Sequence, residues 1–480
     1  MSSMPSTFSV VRLSSRDLKV AVKLFLTIYV VALLFFKPSV EFARFFHLTE
    51  AITQSGQTSI DRIEKQYHVT VIDAFEHNGK RYIIASPGLS YIALATYFPY
   101  SLFVKHKLNA RLNLEPETDL KLSQLVMSLS TISFFTGLLI SIFFLSLRLK
   151  GLSMNTSIFY SFFLYFGTPI LYYSLEVPNS QVLLTASLLF AAFYVLQLVS
   201  QNGKKQALLS GLIAGITCFV DTSSIFYLFL FPALLFLTGR GRAILIWAAG
   251  FLVGICPLFL YNQISFGHPL ITAFTQSGAS IKFDVVSALK MILFLIFSPK
   301  CGLIFFSPFI AFVLSRDVWS SVQNKVIAIS TIFFLGCLGF LIYSAVISYK
   351  VGDQWYLNQG GGGPRYLLPI IPFLVYLLAD VTWRKDWRTN FAVFFIALSF
   401  LINIPGLFWR GGQAFFLNNL VLFLKNGFHS YLIDLFKDIL DHALLNTKGI
   451  SLLPITALVG FLLWFIWKGK QKMHDLLDPS

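Results

Sequence analysis

Apolar runs of membrane-span length alternate with short polar punctuation along almost the whole chain. The runs cover 21–37, 121–147, 153–175, 180–200, 206–220, 223–238, 243–262, 302–315, 326–347, 366–380, 390–408 and 451–467. A spanning helix needs about 20 mostly apolar residues, so the pattern predicts about twelve transmembrane helices, several of them short. The expected fold is an all-α polytopic bundle, one membrane-embedded domain over 1–480, with no internal repeat or coiled-coil heptad. Within 206–238 the pattern is a helical hairpin with Asp221-Thr222-Ser223-Ser224 at its tip.

One run, Leu89–Val104, is apolar enough to span, but Pro87-Gly88 opens it and Tyr and Pro interrupt it. Basic residues decide its place, because cytoplasmic loops carry the excess of Lys and Arg. If the run does not cross, Arg12/Arg16, Arg148/Lys150, Lys204/Lys205, Arg240/Arg242, Arg316/Lys325, Arg384/Lys385/Arg388 and Lys468/Lys470/Lys472 share one side in short loops. The long loops 39–120, 263–300, 348–365 and 409–450 then share the other. Leu89–Val104 is therefore expected as an interfacial helix on the outer face, with both termini cytoplasmic. Loop 409–450 carries Phe415–Leu424 and Tyr431–Leu444 at helical spacing, which predicts surface helices on the membrane.

Composition agrees. The 480 residues are 56% hydrophobic and 12% charged, against about 25% charged in soluble domains. The 52 Phe and 19 Tyr suit lipid-facing and interfacial positions. The net charge of +15 reads as loop charge that orients the chain, not as a nucleic-acid surface. Cys218, Cys256, Cys301 and Cys337 lie in or beside apolar stretches without CxxC spacing, so buried free thiols are expected. The apolar run after the Ser-rich basic start has no small-residue cleavage site and is read as a retained first span.

In a chain this apolar, the polar first loop, 39–120, is where aqueous chemistry is expected. Glu41 opens a helical pattern just beyond the first span, as a catalytic acid or as an N-terminal acid that suits the helix dipole. Asp61 reads as a solvated turn acid. Asp73, within Val71-Ile72-Asp73-Ala74-Phe75, is harder to explain as decoration. Asn78-Gly79 is a turn signal that folds Lys80, Arg81 and Tyr82 back toward Asp73. Such a group can bind a phosphate or a sugar, or be a solvated hairpin.

Farther along, Gly360-Gly361-Gly362-Gly363-Pro364-Arg365-Tyr366 exposes backbone N–H groups before a span. Arg365 at its mouth suits a phosphate or pyrophosphate, because the guanidinium fork pairs two oxygens. Tyr261-Asn262 closes a span, and Glu176-Val177-Pro178-Asn179 makes a tight outer turn. Ser298-Pro299…Gly302-Leu303…Ser307-Pro308 reads as broken helix, tolerated at membrane depth where it lines a cavity. No HExxH, Walker or GxSxG motif occurs.

In this order and at these spacings, several motifs resemble the integral-membrane glycosyltransferases of the GT-C class. The nearest likeness is to the bacterial and archaeal protein-mannosyltransferase and lipid A aminoarabinose transferase group, glycosyltransferase family 39-like. The motifs are Asp73-Ala74…Asn78-Gly79…Tyr82 with Ser86-Pro87-Gly88-Leu89-Ser90, and Gly167-Thr168-Pro169 with Tyr173-Ser174. Tyr261-Asn262…Phe266-Gly267-His268-Pro269-Leu270, the Ser-Pro pair at 298–308 and Gly363-Pro364-Arg365-Tyr366-Leu367…Pro369 complete the set.

The resemblance implies a transferase taking a sugar from a polyprenyl-phosphate donor to a glycan, lipid or protein acceptor at the outer face of the plasma membrane. It implies a first loop with two interfacial helices, here Glu41–Thr53 and Leu89–Val104. The family's first-loop acid falls on Glu41, a departure from the usual Asp. Its second acid falls near Asn179, which is not acidic, so Asp73 or Glu176 stands in.

The expected site is then Asp73 or Glu41 as general base, with Arg365, Lys80 and Arg81 on the donor phosphate. Tyr82, Asn78, Tyr366, Asn262 and Glu176 line the substrate. No cofactor is required by these residues, although some GT-C enzymes use a divalent metal (Mg or Mn). Two other readings remain at this point: a lipid-linked sugar flippase or polysaccharide transporter, and a non-catalytic protein of the same fold.

Overall fold

The computed structural model describes residues 13–37, 44–68, 70–71, 74–105, 116–175, 181–198, 203–273, 285–299, 302–348, 365–383, 387–407 and 421. The described residues are mostly helical, 81% helix and 2% strand. Among them three helical stretches are long and apolar enough to cross a membrane: Pro116–Leu149, Gly241–Phe266 and Val322–Gly339.

Helix α1 (Ser15–Leu34) starts in a reciprocal cap, in which the Asp17 N–H donates to Ser14 Oγ and the Ser14 N–H donates to Asp17 Oδ2. The first loop follows with α2 (Arg44–Ser55), α3 (Asp61–Tyr67), a hairpin of β1 (Ala74–His77) and β2 (Lys80–Ile83), and α4 (Gly88–Tyr100). A π-helical turn, Ser101–Lys105, ends α4. Then come α5 (Pro116–Ser130) and α6 (Ile132–Leu149), which bend at Thr131 within one apolar stretch.

Helix α6 returns along α1. Ser141 Oγ donates to Ala21 O at 2.8 Å, and Arg148 Nε meets Asp17 Oδ1 at 2.7 Å. The predicted span 153–175 is divided into α7 (Met154–Phe166) and α8 (Ile170–Leu175), because Gly167-Thr168-Pro169 breaks it. Helices α9 (Gln181–Gln197) and α10 (Lys204–Val220) follow. A 3₁₀ turn (Thr222–Tyr227), α11 (Leu230–Leu237) and α12 (Gly241–Phe266) come next.

The closest helix pair is α10 with α12. A Cβ at Gly211 would stand 2.0 Å from Trp247 O, and one at Gly254 would stand 2.2 Å from Leu212 O. Gly215 and Gly250 complete this small-residue seam, which lets two backbones touch where lipid gives no hydrophobic drive to associate. The opposite face of α12 leaves Leu245, Leu252, Val253, Leu260 and Ile264 exposed, as a lipid-facing surface does.

Two expectations need correction. The run 302–315 is not a continuous span: α14 (Leu303–Phe306) is one turn, and a 3₁₀ segment, Pro308–Leu314, follows Ser307. The loop assigned to 263–300 contains a helix, α13 (Val285–Phe297), packed on α15 (Val322–Ser348). In the first loop every residue from Arg44 to Ala51 is buried and α4 packs against both α2 and α5, while Phe98, Leu102, Phe103 and Val104 are exposed. A further 3₁₀ turn (Arg316–Ser320) precedes α15. After it come a 3₁₀ turn (Arg365–Ile370), α16 (Ile371–Leu378) and α17 (Trp387–Asn403). The helices expected in 409–450 and the span at 451–467 lie outside the described residues.

Helix directions give the bundle two ends. One gathers Arg148, Lys150 and Asp380: Lys150 Nζ lies 2.6 Å from Asp380 Oδ2 and donates to Tyr376 O at 3.0 Å, while Gln197 Nε2 donates to Tyr376 Oη at 2.7 Å. The other end carries the first loop, the tip of α10 and the end of α12.

Candidate functional site

At the first-loop end, Asn78 (φ 52°) and Gly79 (φ 71°) supply the two positive φ angles a tight hairpin turn requires. The register pairs Phe75 with Tyr82 and Glu76 with Arg81. One hairpin face meets α12: the Tyr82 ring lies 5.3 Å from the Phe266 ring, and His77 and Phe75 lie 5.8 and 6.0 Å from the same ring. Burial pushes the Tyr82 phenol above its ordinary pKa, and the Asp61 carboxylate adds to the shift.

The other hairpin face meets α3. Arg81 Nε lies 2.7 Å from Glu64 Oε2, and its Nη2 donates to Val71 O at 3.1 Å. The Arg81 backbone N–H donates to Asp61 Oδ1 and Oδ2 at 3.0 and 3.1 Å. Asp61 is therefore a bracing acid rather than a solvated one. Arg81, expected on a donor phosphate, is committed to holding the loop together. Lys80 is exposed at the turn, and the Asn78 amide lies 3.1 Å from His77 Nε2.

A second convergence lies where the first loop meets the tip of α10. A Cβ at Gly88 would stand 2.6 Å from the Phe219 carbonyl carbon and oxygen, so only glycine lets α4 dock there. Thr222 N–H donates to Ser86 Oγ at 3.3 Å. The residue between, Asp221, caps the following 3₁₀ turn: its Oδ1 accepts from Ser223 N–H at 3.0 Å and from Ser223 Oγ at 2.8 Å. Asp221 is buried, and burial raises its carboxyl pKa. The Ser223 hydrogen bonds oppose the shift, as do the charges of Arg365 and Arg44. Two guanidinium groups from distant parts of the chain thus act on one buried carboxyl.

Arg44 is buried at the start of α2 with its guanidinium carbon 4.9 Å from the Phe45 ring centre, and Arg365 stands 5.9 Å from the Tyr366 ring centre. Arg365 Nε is buried without a hydrogen-bond partner among the described residues. Guanidinium groups of this kind can pair the oxygens of an anion.

Beside this cluster is a small cavity of mixed lining, with Ser86, Thr222, Tyr261 and Asn262 beside Ile84 and Leu258. The Asn262 side-chain amide also donates to Pro269 O at 3.0 Å and so pins the turn after α12. A separate, wholly apolar hollow of about 340 Å³ is lined by Phe297, Ile304, Phe305, Pro308, Leu398 and Ile402, where the Ser-Pro segment breaks. Ser307 Oγ donates to Gly167 O at 3.0 Å, which ties the second Ser-Pro pair to the Gly-Thr-Pro break.

Of the residues expected at a site, Arg365, Tyr366, Asn262, Lys80, Arg81, Tyr82 and Asn78 are described. Glu41, Asp73 and Glu176 lie outside the described residues. The structure adds Asp221 and Arg44. Asp221 was visible as a polar hairpin tip, but Arg44 gave no signal beyond its closeness to Glu41. Among the described residues no three His, Cys, Asp or Glu side chains come together.

No known protein family matches the chain, and neither a curated protein nor a solved structure matches it.

Proposed function

We propose that this chain is a membrane glycosyltransferase that moves a sugar from a polyprenyl-phosphate donor to an acceptor hydroxyl at the first-loop end of a bundle of about twelve spans. The observation that carries the reading is buried Asp221 at the tip of α10, beside the docked Ser86-Pro87-Gly88 turn and its small cavity, with the positive charges of Arg44 and Arg365 acting on its carboxyl. The two arginines hold the donor phosphate. The acceptor oxygen attacks the anomeric carbon, its proton passes to the Asp221 carboxylate, and the sugar–phosphate C–O bond breaks with its electron pair on the phosphate. The guanidiniums meet that developing charge without reorganising. A carboxyl raised by burial is a better base near neutral pH than an ordinary Asp.

The apolar hollow at 297–308 suits a prenyl chain, and its lining offers no polar group that would repel one. The buried charged side chains among the described residues sit at helix ends or in the first loop. A transporter would place them at mid-span, so this distribution favours transfer over flipping. In this reading the first-loop end is extracytoplasmic.

The test is transfer from a radiolabelled polyprenyl-phosphate sugar by membranes containing the chain. Arg44→Ala and Asp221→Asn are each expected to reduce transfer by roughly 100-fold, the scale of losing one group that stabilises a developing charge. Glu41→Gln and Asp73→Asn, assayed alongside, measure whether a first-loop acid shares the proton. Full transfer by both Arg44→Ala and Asp221→Asn refutes the site.

A further inference from the structure

Helix α13 is apolar along its 13 residues except at Ser287 and Lys290, and Lys290 is its one charge. Its two faces differ. Ala288 and Ile292 pack on α15, where a Cβ at Gly339 would stand 3.2 Å from Ala288 O and 2.6 Å from Ile292 Cγ1. On the other face Val286, Leu289, Lys290, Leu293 and Phe297 are exposed.

The contact with α15 sets the depth of this face. Helix α15 starts at the end that gathers Lys150 and Asp380, where the Asn324 side-chain amide donates to Asp380 Oδ2. Gly339 is 15 residues farther on. At 1.5 Å per residue that is about 22 Å, toward the far edge of a hydrocarbon core about 30 Å thick. Lys290 lies between the two residues that touch Gly339. It therefore stands near the headgroups of the leaflet at the first-loop end, and its flexible stem can carry the ammonium up to a phosphate. From Phe297 the chain returns through α14 and the 3₁₀ segments to the start of α15, so Phe297 lies deeper than Lys290.

Lys290 and Phe297 are seven residues apart, which puts them on one face of the helix, about 10 Å apart along its axis. Phe297 is also a wall of the apolar hollow of about 340 Å³, with Ile304 and Phe305 of α14 and Leu398 and Ile402 of α17. Phe297 is 59% exposed, so the hollow opens on the face that carries Lys290. An apolar cavity of about 150 Å³ holds a six-carbon ring, so this one has room for roughly a dozen carbons of a chain.

We infer that this face binds one anionic phospholipid of the bilayer, with its phosphate on Lys290 and part of an acyl chain in the hollow. Charge selects the headgroup: a lipid of net negative charge pairs with the ammonium, whereas a zwitterionic one brings a cation of its own beside Lys290. The hollow two turns below sets this position apart from a lysine that only reaches for water. The site does not depend on the transferase reading, which puts a prenyl chain in the same hollow; under that reading the two lipids compete for it.

The experiment is native mass spectrometry of the purified full chain, released from nanodiscs of equal phosphatidylglycerol and phosphatidylcholine. Expected is one retained phosphatidylglycerol per chain, favoured over phosphatidylcholine by about fivefold, the effect of one lysine at headgroup level. Lys290→Gln, a change at an exposed position, should remove the preference. Leu398→Trp fills the hollow and keeps the lysine, and it should lower phosphatidylglycerol retention by a similar factor; Lys290→Gln stands as the readout if Leu398→Trp fails to fold. Equal retention of the two lipids by the wild type would overturn the site, as would phosphatidylglycerol retention unchanged in Lys290→Gln or in folded Leu398→Trp. Polyprenyl phosphate retained from an equal mixture while phosphatidylglycerol is not would assign the face to the donor and overturn the phospholipid as its occupant.

Discussion

Asp221 is a carboxyl under opposing influences: burial raises its pKa, and two arginines and a serine pull it back. Raised in the folded chain relative to the unfolded one, it contributes stability that is complete below the ordinary carboxylate range near 4 and is lost as pH climbs through the raised value. Asp221→Asn keeps an oxygen for the Ser223 cap and removes that titration. Its thermal midpoint is therefore expected to fall less than that of the wild type between about pH 4 and pH 7; parallel curves would contradict the assignment.

Lys105 gives a second residue-level prediction. Its Nζ lies 2.7 Å from Glu50 Oε1 and 3.4 Å from Asp119 Oδ2, both buried. Lys105→Met strands these two carboxylates and should cost about 3–5 kcal/mol of stability, read from denaturant unfolding in detergent. Residues differ in how far the sequence exposes them. Arg365 could be singled out because a charge at the mouth of a span after four glycines has few structural reasons to be there. Arg44 and Asp221 could not be linked, because they lie 177 residues apart and no local pattern relates them. The pairing of Arg81 was hidden for the same reason: Glu64, 2.7 Å from its guanidinium, lies on a helix whose packing no local pattern reveals.

At the scale of elements, the glycine seam holds α10 against α12 by backbone contact. Gly254→Leu forces the pair apart, with an expected loss of about 1–3 kcal/mol or more; an unchanged unfolding midpoint would contradict it. Gly88→Val acts on one junction only. It should lift α4 from the Phe219–Val220 backbone and lower transfer while leaving the rest of the bundle folded, measured by activity beside thermal unfolding. Helix breaks at Gly167-Thr168-Pro169 and at Ser307-Pro308 were legible, since proline and glycine act on their own backbone. Helix α13 was not, because 13 mostly apolar residues are too short for a span and its partner α15 lies beyond the next break. The first-loop helices were legible as helices, but the cover that α2 takes from α4 and α5 was not.

For the whole molecule, the bundle's two ends carry different chemistry. Arg148, Lys150 and Asp380 brace one end, while Asp221, the hairpin and the Lys105 cluster occupy the other. In the orientation we propose, the basic loops at the first end lie in the cytoplasm. Single cysteines replacing Lys80 and Lys205 should then differ in whole cells: the first labelled by an impermeant maleimide from outside, the second only after permeabilisation. The reverse pattern would place the proposed site on the wrong side for an external acceptor.

The most direct trial of the account is the fate of the donor sugar in vesicles carrying the chain, wild type beside Arg365→Ala. The account predicts that wild-type chain joins label from the polyprenyl-phosphate sugar to an acceptor, and that Arg365→Ala does so roughly 100-fold more slowly. Label that crosses the membrane still attached to its lipid, with none transferred, would contradict it, as would an Arg365→Ala chain that transfers at the wild-type rate.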